Sequence, residues 1–188
     1  MERQETAPGV PPFPLARLIS GGQTGVDRLA LDVAMSLGIP VGGWCPRGRR
    51  AEDGVIPERY PLREASSELY QERTRLNVRD SDVTLILCSG APSGGTLLTI
   101  EMARTMHRPF YLADMFTASD EQLIDVLRRW LWDIRPSTLN VAGPRFSEWP
   151  QLEPQVTCLL RRCVVASSLP PPVWPPARPM TPSLPGTS

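Results

Sequence analysis

The sequence of 188 residues lacks an excess of charge of either sign, because 20 Lys and Arg residues balance 20 Asp and Glu residues. Proteins that bind nucleic acids or anionic membrane surfaces usually carry a basic excess. We therefore expect neither partner, and any phosphate binding should be local. The sequence also lacks both the run of about 20 apolar residues that a membrane helix needs and the apolar core of a signal peptide. The expected location is the cytoplasm.

Cysteine and histidine are scarce. Cys45, Cys88, Cys158 and Cys163 form neither a CxxC pair nor a zinc-binding pattern, so we expect reduced thiols and no metal bound by protein ligands. Cys88 ends an apolar run and is a core candidate, whereas Cys45 lies in a polar segment and is either buried or reactive. The single histidine, His107, follows a predicted helix, which favours a surface or capping role over general base catalysis.

Catalytic motifs are also missing. The sequence has no G-x-S-x-G nucleophile motif and no cluster of metal ligands. These absences favour a binding protein over an enzyme.

Proline-rich segments flank the central part of the chain. Residues 1–16 and 167–188 are expected to be disordered tails, since proline interrupts both helices and sheets. Residues 17–166 are expected to form one ligand-binding domain.

Within this domain, short apolar runs alternate with helical patterns, which is typical of βαβ units. Strands are predicted at Arg17–Ser20, at Val41, and at residues 83–88, 110–112 and 139–141. A helix follows the first strand, a second contains Ala65, Leu69 and Leu76 on one face, and others end near Met106 and Leu131. A long polar loop is expected from Gly42 to about Tyr60. The predicted fold is Rossmann-like, with three α/β/α layers and a mainly parallel sheet.

The first glycine-rich loop, Gly21-Gly22-Gln23-Thr24-Gly25, joins a predicted strand to a helix. Free backbone N–H groups and the helix dipole create an anion site there, although a tight turn alone also needs glycine. The loop is neither GxGxxG nor a Walker motif. Asp27 is expected either to cap the helix or to contact a ligand hydroxyl.

The second loop, Ser89 to Thr96, follows the most apolar strand and contains Gly94 and Gly95. Ser93 and Thr96 add hydroxyl groups, which either bind a ligand or cap the next helix. Because ligands in α/β sheets lie beyond the carboxyl ends of the strands, the two loops are expected to share one phosphorylated small molecule.

Arginine residues follow another strand. Trp44, Arg47, Arg49 and Arg50 offer an aromatic face and three guanidinium groups for an oxyanion, while Arg145 follows the last strand. The alternative is a solvated basic loop neutralised by Glu52 and Asp53. The complete set of predicted ligand-binding residues is Gly21, Gly22, Gln23, Thr24, Gly25, Asp27, Trp44, Arg47, Arg49, Arg50, Ser89, Ser93, Gly94, Gly95, Thr96 and Arg145.

Several motifs resemble one known family. They are Gly21-Gly-Gln-Thr-Gly-Val-Asp27, Gly43-Trp-Cys-Pro-Arg-Gly-Arg-Arg-Ala-Glu-Asp-Gly54, Asn77-Val-Arg-Asp-Ser-Asp82, Gly94-Gly-Thr96 and Leu139-Asn-Val-Ala-Gly-Pro-Arg-Phe-Ser147. Over residues 17–165 the chain resembles the molybdenum-carrier family, within the Rossmann-like SLOG and lysine-decarboxylase-like superfamily. The resemblance implies a homo-oligomer, a dimer or tetramer, that holds molybdenum cofactor (molybdopterin) or a nucleotide.

Related phosphoribohydrolases have the motif PGGxGTxxE. Here Pro92-Ser-Gly-Gly-Thr96 is followed by Glu101, five residues after Thr96 rather than three. The leading hypothesis is therefore a carrier. The alternatives are a hydrolase of a nucleotide or ADP-ribose derivative that uses Asp27, Glu52, Asp53 or Glu101, and a nucleotide sensor whose tails recruit a partner.

Overall fold

The computed structural model describes residues 15–116 and 120–165, and the predicted tails lie outside these ranges except for Leu15 and Ala16. Leu15 packs against the core, and the Ala16 N–H donates to the Ser137 carbonyl at 3.0 Å. Leu15 and Ala16, which were assigned to the predicted N-terminal tail, therefore pack on the domain. None of the helices in the described ranges is long and apolar enough to span a membrane.

Fourteen elements follow each other along the described chain. They are β1 (Arg17–Ile19), α1 (Val26–Ser36), β2 (Val41–Gly42), β3 (Trp44–Cys45), β4 (Arg50–Ala51), β5 (Gly54–Val55), β6 (Arg63–Glu64), α2 (Tyr70–Arg79), β7 (Val83–Cys88), α3 (Gly94–Thr105), β8 (Phe110–Asp114), α4 (Asp120–Ile134), β9 (Thr138–Ala142) and α5 (Leu152–Val165).

Five parallel strands form the central sheet, in the order β2-β1-β9-β7-β8. Every residue of β7 is buried, as expected for a strand covered by helices on both faces. Helices α1, α4 and α5 pack together, and α2 packs on α3. With right-handed crossovers these two groups cover opposite faces. The predicted Rossmann-like α/β fold is confirmed.

The strand order reverses within this sheet. From β1 the chain crosses to β2, whereas from β7 it crosses in the opposite direction to β8, and β9 lies between β1 and β7. Such a reversal leaves a crevice at the carboxyl ends of the strands. The loops after β1, β7 and β9 meet there.

Two local predictions need correction. The segment predicted as a long polar loop, from Gly42 to about Tyr60, contains the β4–β5 hairpin and β3, which pairs in parallel with β6 just beyond the segment. The guanidinium of Arg49 stabilises it by donating to the carbonyls of Ile56, Pro57, Tyr60 and Leu62.

The second correction concerns α2. This helix was predicted to include Ala65 and Leu69, but it begins at Tyr70. The Ala65 N–H donates to the Cys45 carbonyl at 2.8 Å, and the Leu69 N–H donates to Ser67 Oγ at 3.1 Å. Both bonds hold the chain out of helical conformation. Helix α5 was not predicted.

Candidate ligand-binding site

A cavity of about 390 Å³ opens at the carboxyl edge of the sheet. This volume suits a small molecule. Residues from four parts of the chain line it. They are Gln23 and Asp27 after β1, Tyr70, Gln71, Arg73 and Thr74 from α2, Gly94, Gly95, Leu97, Leu98, Thr99 and Glu101 from α3, and Ala142, Gly143, Arg145 and Glu148 at and after the end of β9. The structure thus brings both predicted glycine-rich loops to one cavity.

Helix α2 supplies side chains that the sequence analysis missed. Tyr70, Arg73, Thr74 and Asn77 share one face, since they are spaced by three and four residues. Thr74 and Asn77 are buried although both are polar. The signal in the sequence that could have revealed this wall is the helical spacing of the polar residues Thr74 and Asn77.

Arg73 forms a buried ion pair with Asp27. Its Nη1 lies 2.9 Å from Asp27 Oδ2, and the two side chains are only 13% and 3% exposed. Burial raises the pKa of Asp27 above its ordinary value, and the positive charge of Arg73 offsets only part of this effect. Asp27 thus holds Arg73, and the N-cap of α1 has no side-chain hydrogen bond, so capping, one of the two roles predicted for Asp27, is not observed.

The ring of Tyr70 lies 5.7 Å from the Arg73 guanidinium carbon and helps to fix it. The buried Nε of Arg73 has no hydrogen-bond acceptor among the described residues. Gly21 leaves room for this arginine, because a Cβ there would collide with the guanidinium. Glycine at this position therefore accommodates a side chain of the protein itself.

Two N–H groups of the first loop, and that of Val26 directly after it, are already engaged within the protein. The Thr24 N–H donates to Gln23 Oε1 at 3.1 Å, and the Val26 N–H donates to the Pro144 carbonyl at 3.2 Å. The Gln23 N–H donates to Asp27 Oδ2 at 3.3 Å. Thr24 was predicted to offer its N–H to a phosphate, and in this structure that group is used internally.

Glu52 connects the β4–β5 hairpin to two loops at the cavity. Its carboxylate accepts hydrogen bonds from the Thr24 hydroxyl and from the N–H and hydroxyl of Ser147, and its own N–H donates to Gln23 Oε1 at 2.8 Å. Burial by itself raises the pKa of Glu52, but the hydrogen bonds from Ser147 and Thr24 outweigh it and hold the pKa below its usual range. Asp53 is paired with Arg28 beside it.

The second loop divides between two pockets. Gly94, with a left-handed φ of 49°, and Gly95 line the larger cavity at the start of α3. Ser89, Ser93 and Thr96 line an adjacent pocket of about 90 Å³. Ser93 occupies the N-cap position of α3 without a side-chain cap hydrogen bond.

The predicted arginine-rich loop does not line the cavity. Arg47 and Arg50 both pair with the exposed carboxylate of Glu68, and Arg49 organises the neighbouring backbone. Trp44 is anchored on α2, where its Nε1 donates to Asp80 and its backbone bonds to the Asn77 amide. These contacts give Trp44 and Arg49 structural roles in the described chain.

Arg145 does reach the cavity, where its Nε lies 3.2 Å from Glu148 Oε1. Its position after β9 agrees with the prediction, whereas Glu148 was not predicted. Glu101, considered as an acid or base, also lines the cavity.

Cysteine and histidine stay outside the cavity. Cys45 is buried in β3, where burial raises the pKa of its thiol. His107 is exposed, and its N–H donates to the Arg104 carbonyl in the turn that ends α3. Within residues 15–116 and 120–165 no group of three His, Cys, Asp or Glu side chains could hold a metal ion.

A second depression, of about 700 Å³, lies along α5 and is lined by Phe146, Pro150, Pro154 and Cys158, among others. It is wide open, and its walls include none of the predicted ligand-binding residues.

Comparison with known proteins gives two matches. The model of the circularly permutated YpsA SLOG family matches residues 18–164. The crystal structure of a protein named "putative molybdenum carrier protein", from Syntrophus aciditrophicus SB, superposes with a TM-score of 0.77 at 40% sequence identity, covering 79% of this chain and 94% of that one. No curated protein matches the chain.

Proposed function

Because the chain belongs to the circularly permutated YpsA SLOG family, as its motifs predicted, we propose that it binds a small phosphorylated ligand in the cavity between its two glycine-rich loops. The observation that supports this most is the Arg73 guanidinium, which is fixed by Asp27 in the wall of a cavity at the point of strand reversal. Arginine is well suited to phosphate oxygens. Gly94 and Gly95 allow the ligand to approach the N-terminus of α3.

We propose molybdenum cofactor (molybdopterin) as the ligand, with the protein acting as its carrier. The related crystal structure is of a protein named for this role. The residues present fit a pterin phosphate, because Tyr70, Leu97 and Leu98 provide a partly apolar wall for a ring and Arg73 suits its phosphate. The described residues include no metal-binding group, so the molybdenum would remain on the ligand. The resemblance also implies a homo-oligomer, which light scattering coupled to gel filtration would measure.

Mass spectrometry tests this identity. Small molecules released by denaturing the freshly purified protein are compared with those from a mock purification. We expect a pterin phosphate. An adenine nucleotide or an ADP-ribose derivative in its place would contradict the carrier proposal and favour a nucleotide ligand.

Substitution of Gly94 tests the location of the site. Asp and Asn adopt the left-handed backbone of Gly94 more readily than other side chains, and they differ in charge at the same size. Gly94→Asp should abolish the binding of inorganic phosphate in calorimetry, whereas Gly94→Asn should retain part of it. Equal affinities of wild type and Gly94→Asp would place the site elsewhere.

Glu101 supports a second candidate function, hydrolysis of a nucleotide or ADP-ribose derivative. Glu101 lines the cavity, and no ion pair engages its carboxylate within the described ranges. A carboxylate so placed can act as a general acid or base. Turnover of nucleoside monophosphates or ADP-ribose that is lost in Glu101→Gln would establish this activity; wild-type protein without turnover would exclude these substrates.

A further inference from the structure

Glu148 lies between the two pockets beside the second glycine-rich loop and lines both. Its Oε1 is 3.2 Å from Arg145 Nε, and its Oε2 accepts a hydrogen bond from the Arg145 N–H at 3.2 Å. The same Oε1 lies 3.5 Å from the position that a Cβ on Gly94 would occupy. The carboxylate thus contacts an arginine of the cavity and lies close to the first residue of α3.

The charges of the cavity are unusual for a polyphosphate site. Its two guanidinium groups, Arg73 and Arg145, are each paired with a carboxylate, from Asp27 and Glu148 respectively, and Arg145 Nε also lies 4.0 Å from Glu52 Oε2. A third carboxylate, Glu101, is present in the wall. Sites for polyanions normally present a cationic excess, because like charges at short distance repel.

We propose that Glu148 is a specificity-determining residue that restricts the cavity to ligands with a single phosphate group. This inference rests on the proposed function. One phosphate can use Arg73 and the start of α3 while the Arg145–Glu148 pair stays intact. A second phosphate needs Arg145, so it must displace Glu148 and leave that carboxylate unpaired near a polyanion. The ligand class is therefore a phosphate monoester rather than a pyrophosphate such as ADP-ribose.

Calorimetry on the full chain with inorganic phosphate and pyrophosphate tests the proposal. Wild type should bind phosphate at least as tightly as pyrophosphate. Glu148→Gln should tighten pyrophosphate binding about fivefold, the size expected for one partly exposed charge pair, and change phosphate binding less than twofold. Glu153→Gln, which removes an acidic side chain near the start of α5 and outside the cavity, is the matched control and should change neither.

Three outcomes would overturn the inference. Tighter binding of pyrophosphate than of phosphate by wild type contradicts it directly. An unchanged ratio of the two affinities in Glu148→Gln, repeated in Glu148→Ala with circular dichroism to verify folding, contradicts it while leaving the phosphate site in place. No binding of either anion by folded wild type would remove the proposed function and this inference together.

Discussion

Asp27 and Arg73 place a buried ion pair in the wall of the cavity, and removing one partner leaves the other charge buried alone. Such a loss typically destabilises a protein by about 3–5 kcal/mol. We therefore expect Asp27→Asn and Arg73→Met each to lower the free energy of unfolding by about 3 kcal/mol in urea denaturation.

The double variant, Asp27→Asn with Arg73→Met, measures the interaction between the two side chains. Since it buries no unpaired charge, it should lose clearly less stability than the two single variants added together. Additive losses would mean that the two side chains do not interact in the folded protein. The surface pair Arg162 and Glu121 is the matched control, because exposed pairs contribute little.

The cysteines differ in access to solvent. Cys88 and Cys163 are buried, which raises the pKa of Cys88 to about 11 and that of Cys163 to about 12, whereas Cys158 is exposed on α5. Since the thiolate is the reactive form, we expect Cys158 alone to react rapidly with Ellman's reagent in the native protein. Peptide mapping identifies the labelled residue, and Cys158→Ser should remove the rapid phase. Rapid labelling of Cys45 would show that β3 opens.

At the scale of elements, the β4–β5 hairpin is attached to the cavity loops through Glu52. Its pKa is held below the ordinary value of 4.5 in the folded protein. A carboxylate of this kind adds stability above pH 4.5 and loses it as the pH falls through the lower, folded pKa. Unfolding experiments between pH 7 and 3 should therefore show a larger loss of stability in wild type than in Glu52→Gln. Parallel pH profiles would show that Glu52 does not support the hairpin.

Periodicity predicted the sheet and the first, third and fourth helices, because each buries a regular apolar pattern, as in the fully buried β7. The β3–β6 region was not predicted, since two-residue strands have no period and depend on Arg49 and its backbone acceptors. Strand ends located Gln23, Gly94 and Arg145 at the cavity. Arg73 was missed because its partner, Asp27, is distant in the sequence. Glu148 was missed because it pairs with Arg145 within a turn that has no periodic pattern.

Across the whole molecule, the cavity is assembled from strand ends that lie far apart in the sequence. Gln23 follows β1, Gly94 follows β7 and Arg145 follows β9, while Arg73 comes from the other side of the crevice on α2. An unfolded chain cannot present these groups together. A ligand of this site should therefore bind only the folded state and stabilise the entire domain.

Because the ligand binds only the folded state, it should raise the melting temperature of the complete chain. Inorganic phosphate at 100 times its dissociation constant should add about 2.7 kcal/mol, which raises the melting temperature of a domain of this size by roughly 5–10 °C. Scanning calorimetry should show one transition that moves upward with phosphate. Gly94→Asp should melt without this shift, whereas Glu121→Gln, far from the cavity in a surface ion pair, should keep it. If Gly94→Asp shifted as much as wild type, the stabilisation would come from general exclusion of phosphate from the surface rather than from binding.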